Sequence, residues 1–321
     1  MKILVTGATG FVGTSLVQLL QRQGHTLVLV AHKNAAKTSQ HHFHPLDIST
    51  MPDWQPLLIG CDVVVHLAAR VHVMKENAEN ADQEYFKLNV EATKHLAEQA
   101  LEAGVKRFIY LSSLKVNGEC NLDERAFTEQ DTPNPVGSYA QSKYQAEQVL
   151  FDLARKSSLE VTVIRPPLVY GPNVRANFQL LLSVVYRQRP LPFAGIKNQR
   201  SYVYVENLVS LIARCLDHPK AVNECFLVSD ADDLSTPQLI VACATGLGVK
   251  PKLFYLPQSL LHWFSKFLGK EAFYERICGD LTVDISKSKR LLGWKPPFSM
   301  ETGMIETAKA FKKSFVLNQH S

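Results

Sequence analysis

The chain has 321 residues, 46% of them hydrophobic and 20% charged, enough to bury a large core without disulfide or metal staples. Its 35 Lys and Arg against 30 Asp and Glu leave a net charge of +5 with no basic run, which argues against a nucleic-acid footprint. Six cysteines (Cys61, Cys120, Cys215, Cys225, Cys243 and Cys278) form no CxxC pair and read as core thiols of a reducing compartment. The opening MKILVTGATGFVG runs into glycines with no cleavage-site region behind it. No apolar stretch approaches the roughly 20 residues of a bilayer span, so a cytoplasmic chain without membrane insertion is expected.

In chain order, strands are predicted over Lys2–Thr6, Leu27–Val30, Val63–Leu67, Phe108–Ser112 and Val161–Arg165. Helices are predicted between them over Thr14–Gln23, Asp82–Ala103 and Tyr139–Lys156. The strands are apolar without alternation, as in a parallel sheet covered on both faces. This βαβα order predicts a doubly wound α/β fold. After Ile164 the texture changes to short strands (Leu191–Phe193, Tyr202–Val205, Cys225–Val228) and helices (Leu208–Leu216, Thr236–Thr245, Ser259–Leu268). A dinucleotide-binding domain is expected over 1–165 and a smaller α+β substrate lobe over most of 166–321, with some elements returning to the first. Leu256–Leu268 is amphipathic enough for a membrane-surface helix, but the expectation is that its apolar face packs on the small lobe. His41, His42 and His44 lack a completing ligand set and are expected to be a solvated loop.

Gly7-Ala8-Thr9-Gly10-Phe11-Val12-Gly13 follows a predicted strand and opens a predicted helix. Gly7 permits the tight turn, Gly10 lets the backbone approach a pyrophosphate, and Gly13 allows close helix–strand packing, with helix N–H groups facing the anion. An NAD-binding chain usually places Asp or Glu about 20 residues on, to hold the ribose 2′-hydroxyl. Here the second strand ends Ala31-His32-Lys33, with no carboxylate to repel a 2′-phosphate and two groups able to supply positive charge. NADP(H) is therefore expected over NAD(H). Asp47 and Ile48 are expected to bond the adenine amino group and pack on its ring.

Tyr139 and Lys143 stand four apart in SYAQSKYQAE and share one face of a helix. A phenol of ordinary pKa about 10 is a poor proton acceptor at neutral pH. An ammonium one turn away favours the phenolate. Ser112-Ser113, ending an intervening strand, complete the constellation.

With these motifs the chain resembles the extended short-chain dehydrogenase/reductases, or NAD-dependent epimerase/dehydratase family. The resemblance rests on TGATGFVG (Thr6–Gly13), DVVVHLAA (Asp62–Ala69), LNVEAT (Leu88–Thr93), YLSSLKVNGE (Tyr110–Glu119), YAQSK (Tyr139–Lys143), RPPLVYGP (Arg165–Pro172) and RSYVYVENLV (Arg200–Val209). It implies a Rossmann-type fold, with Tyr139 as general acid/base, Lys143 on the nicotinamide ribose, and Ser113 on the substrate oxygen. It further implies that Leu67, Ala68 and Ala69 line the cofactor channel, that Asn89 anchors the loop beside it, and that Pro166–Val169, Leu168 included, flanks the nicotinamide. Asn177, Phe178 and Arg200 match positions that bind a nucleotide-sugar diphosphate, where Arg offers a planar fork. Arg165 reads as a salt-bridged framework residue. A homodimer through the helices at Asp82–Ala103 and Tyr139–Lys156 is the implied assembly.

Two departures, Asn117 within Val116-Asn117-Gly118 and Leu168 where Asn is frequent, are expected to touch the sugar side of the cleft. The combination SSLKVNGE with PLPFAGIKNQRSYVYVENLV looks most like a bacterial surface-polysaccharide branch acting at C4 of UDP-N-acetylhexosamines. The missing carboxylate after the second strand ranks a 4-ketoreductase of a UDP-4-keto-6-deoxy-N-acetylhexosamine first. A UDP-glucose or UDP-N-acetylglucosamine 4-epimerase ranks second. Dehydration ranks lower, because Leu114-Lys115 stand where the family's dehydratases carry an acidic pair. A non-catalytic cofactor-sensing protein is disfavoured by the retention of Ser113, Tyr139 and Lys143.

Overall fold

A computed structural model describes residues 1–32, 43–70, 81–121 and 125–317. Seven parallel strands form the central sheet: β1 (Lys2–Thr6), β2 (Thr26–Ala31), β3 (His44–Pro45), β4 (Val63–His66), β5 (Arg107–Leu111), β6 (Glu160–Arg165) and β9 (Glu224–Leu227), in the order β3-β2-β1-β4-β5-β6-β9. Successive side chains of each strand enter different layers, which is why the runs lack polar alternation. Leu4, Val64, Phe108 and Tyr110 face helices α2 (Gln55–Leu58), α4 (Ala92–Glu102) and α5 (Gly137–Lys156). Ile3, Val5, Val65 and Ile109 face the opposite layer, where α1 (Phe11–Arg22) packs on α7 (Val205–Cys215). This is the Rossmann-type arrangement expected.

Two elements depart from the expectations, and a third, expected as a strand, returns to the first domain. The Asp82–Ala103 helix is divided: α3 (Ala81–Phe86) passes into a π-helical turn, Lys87–Glu91, before α4. Leu191–Phe193 forms no strand, since Leu191 makes only an isolated bridge to Leu253. Glu224–Leu227 is the seventh strand of the main sheet, held by parallel pairing to β6, so the second half of the chain completes the first.

The remainder is built from β7 (Leu168–Tyr170) paired with β8 (Tyr202–Tyr204), helices α6 (Ala176–Tyr186) and α8 (Thr236–Leu247), a hairpin of α9 (Gln258–Phe267) and α10 (Glu271–Cys278), then α11 (Ser286–Leu292) and α12 (Met300–Leu317). Helix α12 packs on α8. Ser235 caps α8 with a reciprocal bond to Gln238. Helix α9 contains no buried residue, against the expectation that it packs its apolar face on this lobe. Among the described residues no helix is long and apolar enough to cross a membrane. All six cysteines are free, and Cys120 is exposed.

Candidate active site

Strand order reverses between β1 and β4, and the loops leaving their carboxyl ends meet there, where doubly wound sheets bind ligands. Gly7 has φ +66°, and a Cβ on it would lie 2.8 Å from the Ala68 nitrogen. A Cβ on Gly13 would lie 2.1 Å from the Gly7 carbonyl oxygen, so the first turn of α1 seats directly on the loop. Gly10 is the exposed N-cap of α1, and a Cβ there would approach only the Gly7 oxygen, at 3.1 Å. Space therefore stays open above the amides of Phe11, Val12 and Gly13, the first-turn N–H groups that a helix offers to an anion. The cradle fits a dinucleotide diphosphate.

The loop after β4 is held from two sides. Thr6 Oγ1 accepts from the Ala68 N–H at 3.2 Å and bonds His66 Nδ1 at 2.7 Å. His66 Nε2 pairs with Thr93 Oγ1 at 3.0 Å, and burial, reinforced by Lys143, lowers the ring pKa to about 3. This neutral histidine is a hydrogen-bonding strut that the apolar pattern of β4 gave no reason to expect. On the other side, Asn89, in the π-helical turn, accepts from the Arg70 N–H at 2.8 Å and donates to the Arg70 carbonyl at 3.1 Å. Its amide also donates to Ser142 Oγ at 3.0 Å, tying the loop to α5. The π-turn is thus where α3 and α4 change register to bring Asn89 inward.

At the end of β2, His32 is exposed and Lys33 lies outside the described residues, as do His41 and His42. Asp47 caps a 3-10 turn through Ser49, to whose N–H and hydroxyl its Oδ1 is acceptor at 3.0 and 2.7 Å, and Ile48 is half-buried beside it. Leu67, Ala68 and Ala69 are each half-buried, Pro166 is buried, Leu168 is exposed and Val169 is half-buried on β7.

Ser113, Tyr139 and Lys143 come together over β5 and α5. The Ser113 side chain lies against the Tyr139 phenol, and Tyr85 of α3 meets the Tyr139 ring edge-on at 6.2 Å. Burial, helped by Tyr85 and opposed by Ser113, pushes the phenol pKa up to about 12. Lys143 is buried, donates from Nζ to the Leu111 carbonyl at 2.8 Å and lies over the Tyr110 ring at 4.5 Å. Burial brings its pKa down to about 7, opposed by Glu147. In this arrangement Lys143 is therefore not what adjusts the phenol; its neighbours are the β5 backbone and Glu147.

Glu147, one turn further along α5, is buried against Arg165, whose Nη2 reaches Oε2 at 2.6 Å. Ser112 Oγ donates to the same carboxylate. Arg165 Nη1 donates to Asn117 Oδ1 at 2.9 Å, and Asn117 donates onward to the Thr128 carbonyl at 3.0 Å. Arg165 is a framework residue as read. Asn117, expected on the sugar side, is instead a buried part of the same framework.

Of the residues expected at a substrate diphosphate, Asn177 is exposed at the start of α6. Arg200 is half-buried, and its Nη1 donates to the Gly279 carbonyl at 2.8 Å. Phe178 is only 3% exposed and stacks on Tyr170 with ring centroids 5.6 Å apart. Its side chain is spent on the core, so the sequence position places it in the right helix but on the inward face.

A glycine turn at the switch point of a parallel sheet, beside a Ser–Tyr–Lys cluster, defines the short-chain dehydrogenase/reductase class of dinucleotide-binding proteins. The NAD dependent epimerase/dehydratase family model matches residues 3–228, and the chain belongs to that family. It is 44% identical to a UDP-glucose 4-epimerase of Vibrio cholerae over 311 residues, covering 96% of this chain and 95% of the relative. The fold matches the solved UDP-glucose 4-epimerase of Thermotoga maritima with UDP-glucose (TM-score 0.79, 25% identity, 98% of this chain and 100% of that one). It also matches a UDP-glucuronic acid 4-epimerase of Bacillus cereus in complex with NAD (TM-score 0.79, 24% identity, 98% and 99% covered), a likeness of fold.

Proposed function

We propose that the chain is a UDP-hexose 4-epimerase working with NAD. The observation that carries the reading is the Ser113 side chain against the Tyr139 phenol, with Lys143 buried one turn along α5, in a chain whose first loop is a glycine cradle. The 44% identity to the Vibrio cholerae UDP-glucose 4-epimerase supports the sugar class, and the family description supports NAD.

The nicotinamide, when bound, supplies hydride acceptance and return at the sugar C4. The chain's own residues manage the proton. Tyr139 Oη takes it from the C4 hydroxyl as the alcohol is oxidised and gives it back as the ketone is reduced. Ser113 holds the same oxygen and orients it. With the phenol pKa near 12 the free protein keeps Tyr139 protonated at neutral pH, so the oxidising half needs a nearby positive charge to draw the pKa down. Lys143 would hold the cofactor ribose, Leu67–Ala69 and Pro166–Val169 would line its channel, and Arg200 with Asn177 would take the UDP diphosphate. Because reduction follows oxidation at one carbon, Tyr139 ends each turnover in the protonation state in which it began.

A second reading rests on a specific feature: β2 ends at Ala31-His32 without a carboxylate, which leaves room for a 2′-phosphate and suits a one-way NADPH-dependent 4-ketoreductase of surface-polysaccharide synthesis. The two separate in one experiment. The protein is incubated with UDP-glucose or UDP-N-acetylglucosamine without added reductant, and in parallel with UDP-4-keto-6-deoxy-N-acetylglucosamine and NADPH. Epimerisation predicts a C4 epimer in the first tube. Stoichiometric NADPH loss in the second, with no epimer in the first, would overturn it.

A further inference from the structure

In an amphipathic helix of a globular protein the apolar stripe faces the core. Helix α9 reverses this. Leu260, Trp263, Phe264 and Phe267 follow i, i+3, i+4, i+7 spacing and so share one face, yet all four are exposed, Trp263 by 58% and Phe267 by 78%. The half-buried residues, Leu261 and Ser265, lie on the other side, and His262 rests edge-on against Tyr274 of α10 at 4.9 Å. Trp263 stacks on Phe267 at 5.8 Å, so the apolar face is a preassembled aromatic surface. On α10, Phe273 is exposed as well.

The charge on α9 and the segment leading into it has one sign. From residue 249 to 270 the chain carries Lys250, Lys252, Lys266 and Lys270 and no Asp or Glu. All four lysines are exposed, and among the described residues none forms an ion pair. Glu271, Glu275 and Arg276 follow on α10. A surface of Trp, Phe and Leu flanked by lysine matches what binds a lipid interface, where rings sit at headgroup depth and ammonium groups meet lipid phosphates.

We propose that the α9–α10 face docks this protein on the surface of an anionic lipid bilayer. The helix lies in the plane of the interface, with Trp263 and Phe267 at the headgroup–acyl boundary and Lys266 and Lys270 on the phosphates. The C-terminal end of the same hairpin supplies the Gly279 carbonyl that holds Arg200, so docking sits one contact from the candidate substrate site.

The test uses the protein's own fluorescence. Of three tryptophans, Trp54 is 1% and Trp294 6% exposed, which leaves Trp263 as the reporter. Vesicles of phosphatidylglycerol and phosphatidylethanolamine should shift its emission to the blue and co-sediment with the protein, while phosphatidylcholine vesicles should do neither. Lys266→Glu with Lys270→Glu should weaken binding by at least about thirtyfold, from about fivefold for each interfacial cation lost. Phe264→Ser with Phe267→Ser should abolish the shift while dinucleotide binding stays unchanged. An unaltered Trp263 spectrum with anionic vesicles overturns the proposal, as does equal binding to phosphatidylcholine. Self-association lost in the Phe264→Ser, Phe267→Ser variant without any vesicle binding assigns the face to a second copy and overturns it too.

Discussion

Helices α5 and α9 each invert the usual placement of side chains, in opposite directions. Helix α5 buries Lys143 and Glu147, and α9 leaves a tryptophan and two phenylalanines in solvent. Burial of charge is tolerated in α5 because each group is matched: Glu147 by Arg165 and Ser112, Lys143 by the Leu111 carbonyl and the Tyr110 ring. In α9 the Trp263, Phe264 and Phe267 rings meet one another and stay exposed, with no covering element among the described residues. Local patterns that break where every other level of the structure agrees tend to mark function. In α5 the matched charges set the backbone on which Tyr139 sits, and in α9 the unmatched face is what remains for an interface.

If that contrast is right, removing a match in α5 should be far costlier than removing a ring in α9. Glu147→Ala leaves the buried Arg165 guanidinium uncompensated and should lower unfolding free energy by about 3–5 kcal/mol in urea melts. A loss under about 1 kcal/mol would mean the pair contributes little to holding α5 on β6.

Lys143 sharpens the same point through pH. Its pKa falls from an ordinary lysine value to about 7 in the folded protein, so the unfolded chain binds the extra proton between pH 7 and about 10. Stability contributed at this residue must therefore rise with pH across that window and be smallest below pH 7. Relative to Lys143→Met, the cofactor-free wild type should gain up to about 1.4 kcal/mol per pH unit between pH 7 and 10. A flat difference would place a solvated ammonium there.

At the small end, Trp263→Ser should change unfolding free energy by no more than about 0.5 kcal/mol, as for an exposed site. A loss near the cost of a core aromatic, about 3 kcal/mol or more, would show that α9 is packed and that the comparison fails.

Much of this was legible in the sequence because it is local. The glycine turn needs Gly7 and Gly13 for contacts within one β–loop–α unit, and Tyr139 and Lys143 share a face by helical spacing alone. The strands β1, β2, β4, β5 and β6 were legible from unbroken apolar runs. What escaped depends on partners distant in the chain. Strand β9 was legible as a strand, but which strand it pairs with, β6 some sixty residues earlier, was not. His66 looks like an oddity in an apolar strand until Thr6 and Thr93 arrive on both ring nitrogens. Asn117 and Phe178 stood at the expected positions, but side-chain direction, set by Arg165 and Tyr170, turned them inward. Periodicity found the amphipathic face of α9 and was silent on whether anything would cover it. The NADP(H) expectation drew on Lys33, which lies outside the described residues, and the description of the chain's family names NAD.

The central claim is that the Tyr139 hydroxyl moves the C4 proton while the rest of the site binds and orients. Tyr139→Phe removes that oxygen and keeps the ring against Tyr85. UDP-galactose conversion followed by proton NMR, with dinucleotide affinity measured on the same samples, should show turnover reduced at least about a hundredfold and the dissociation constant within about twofold. Turnover equal to the wild type would contradict the account.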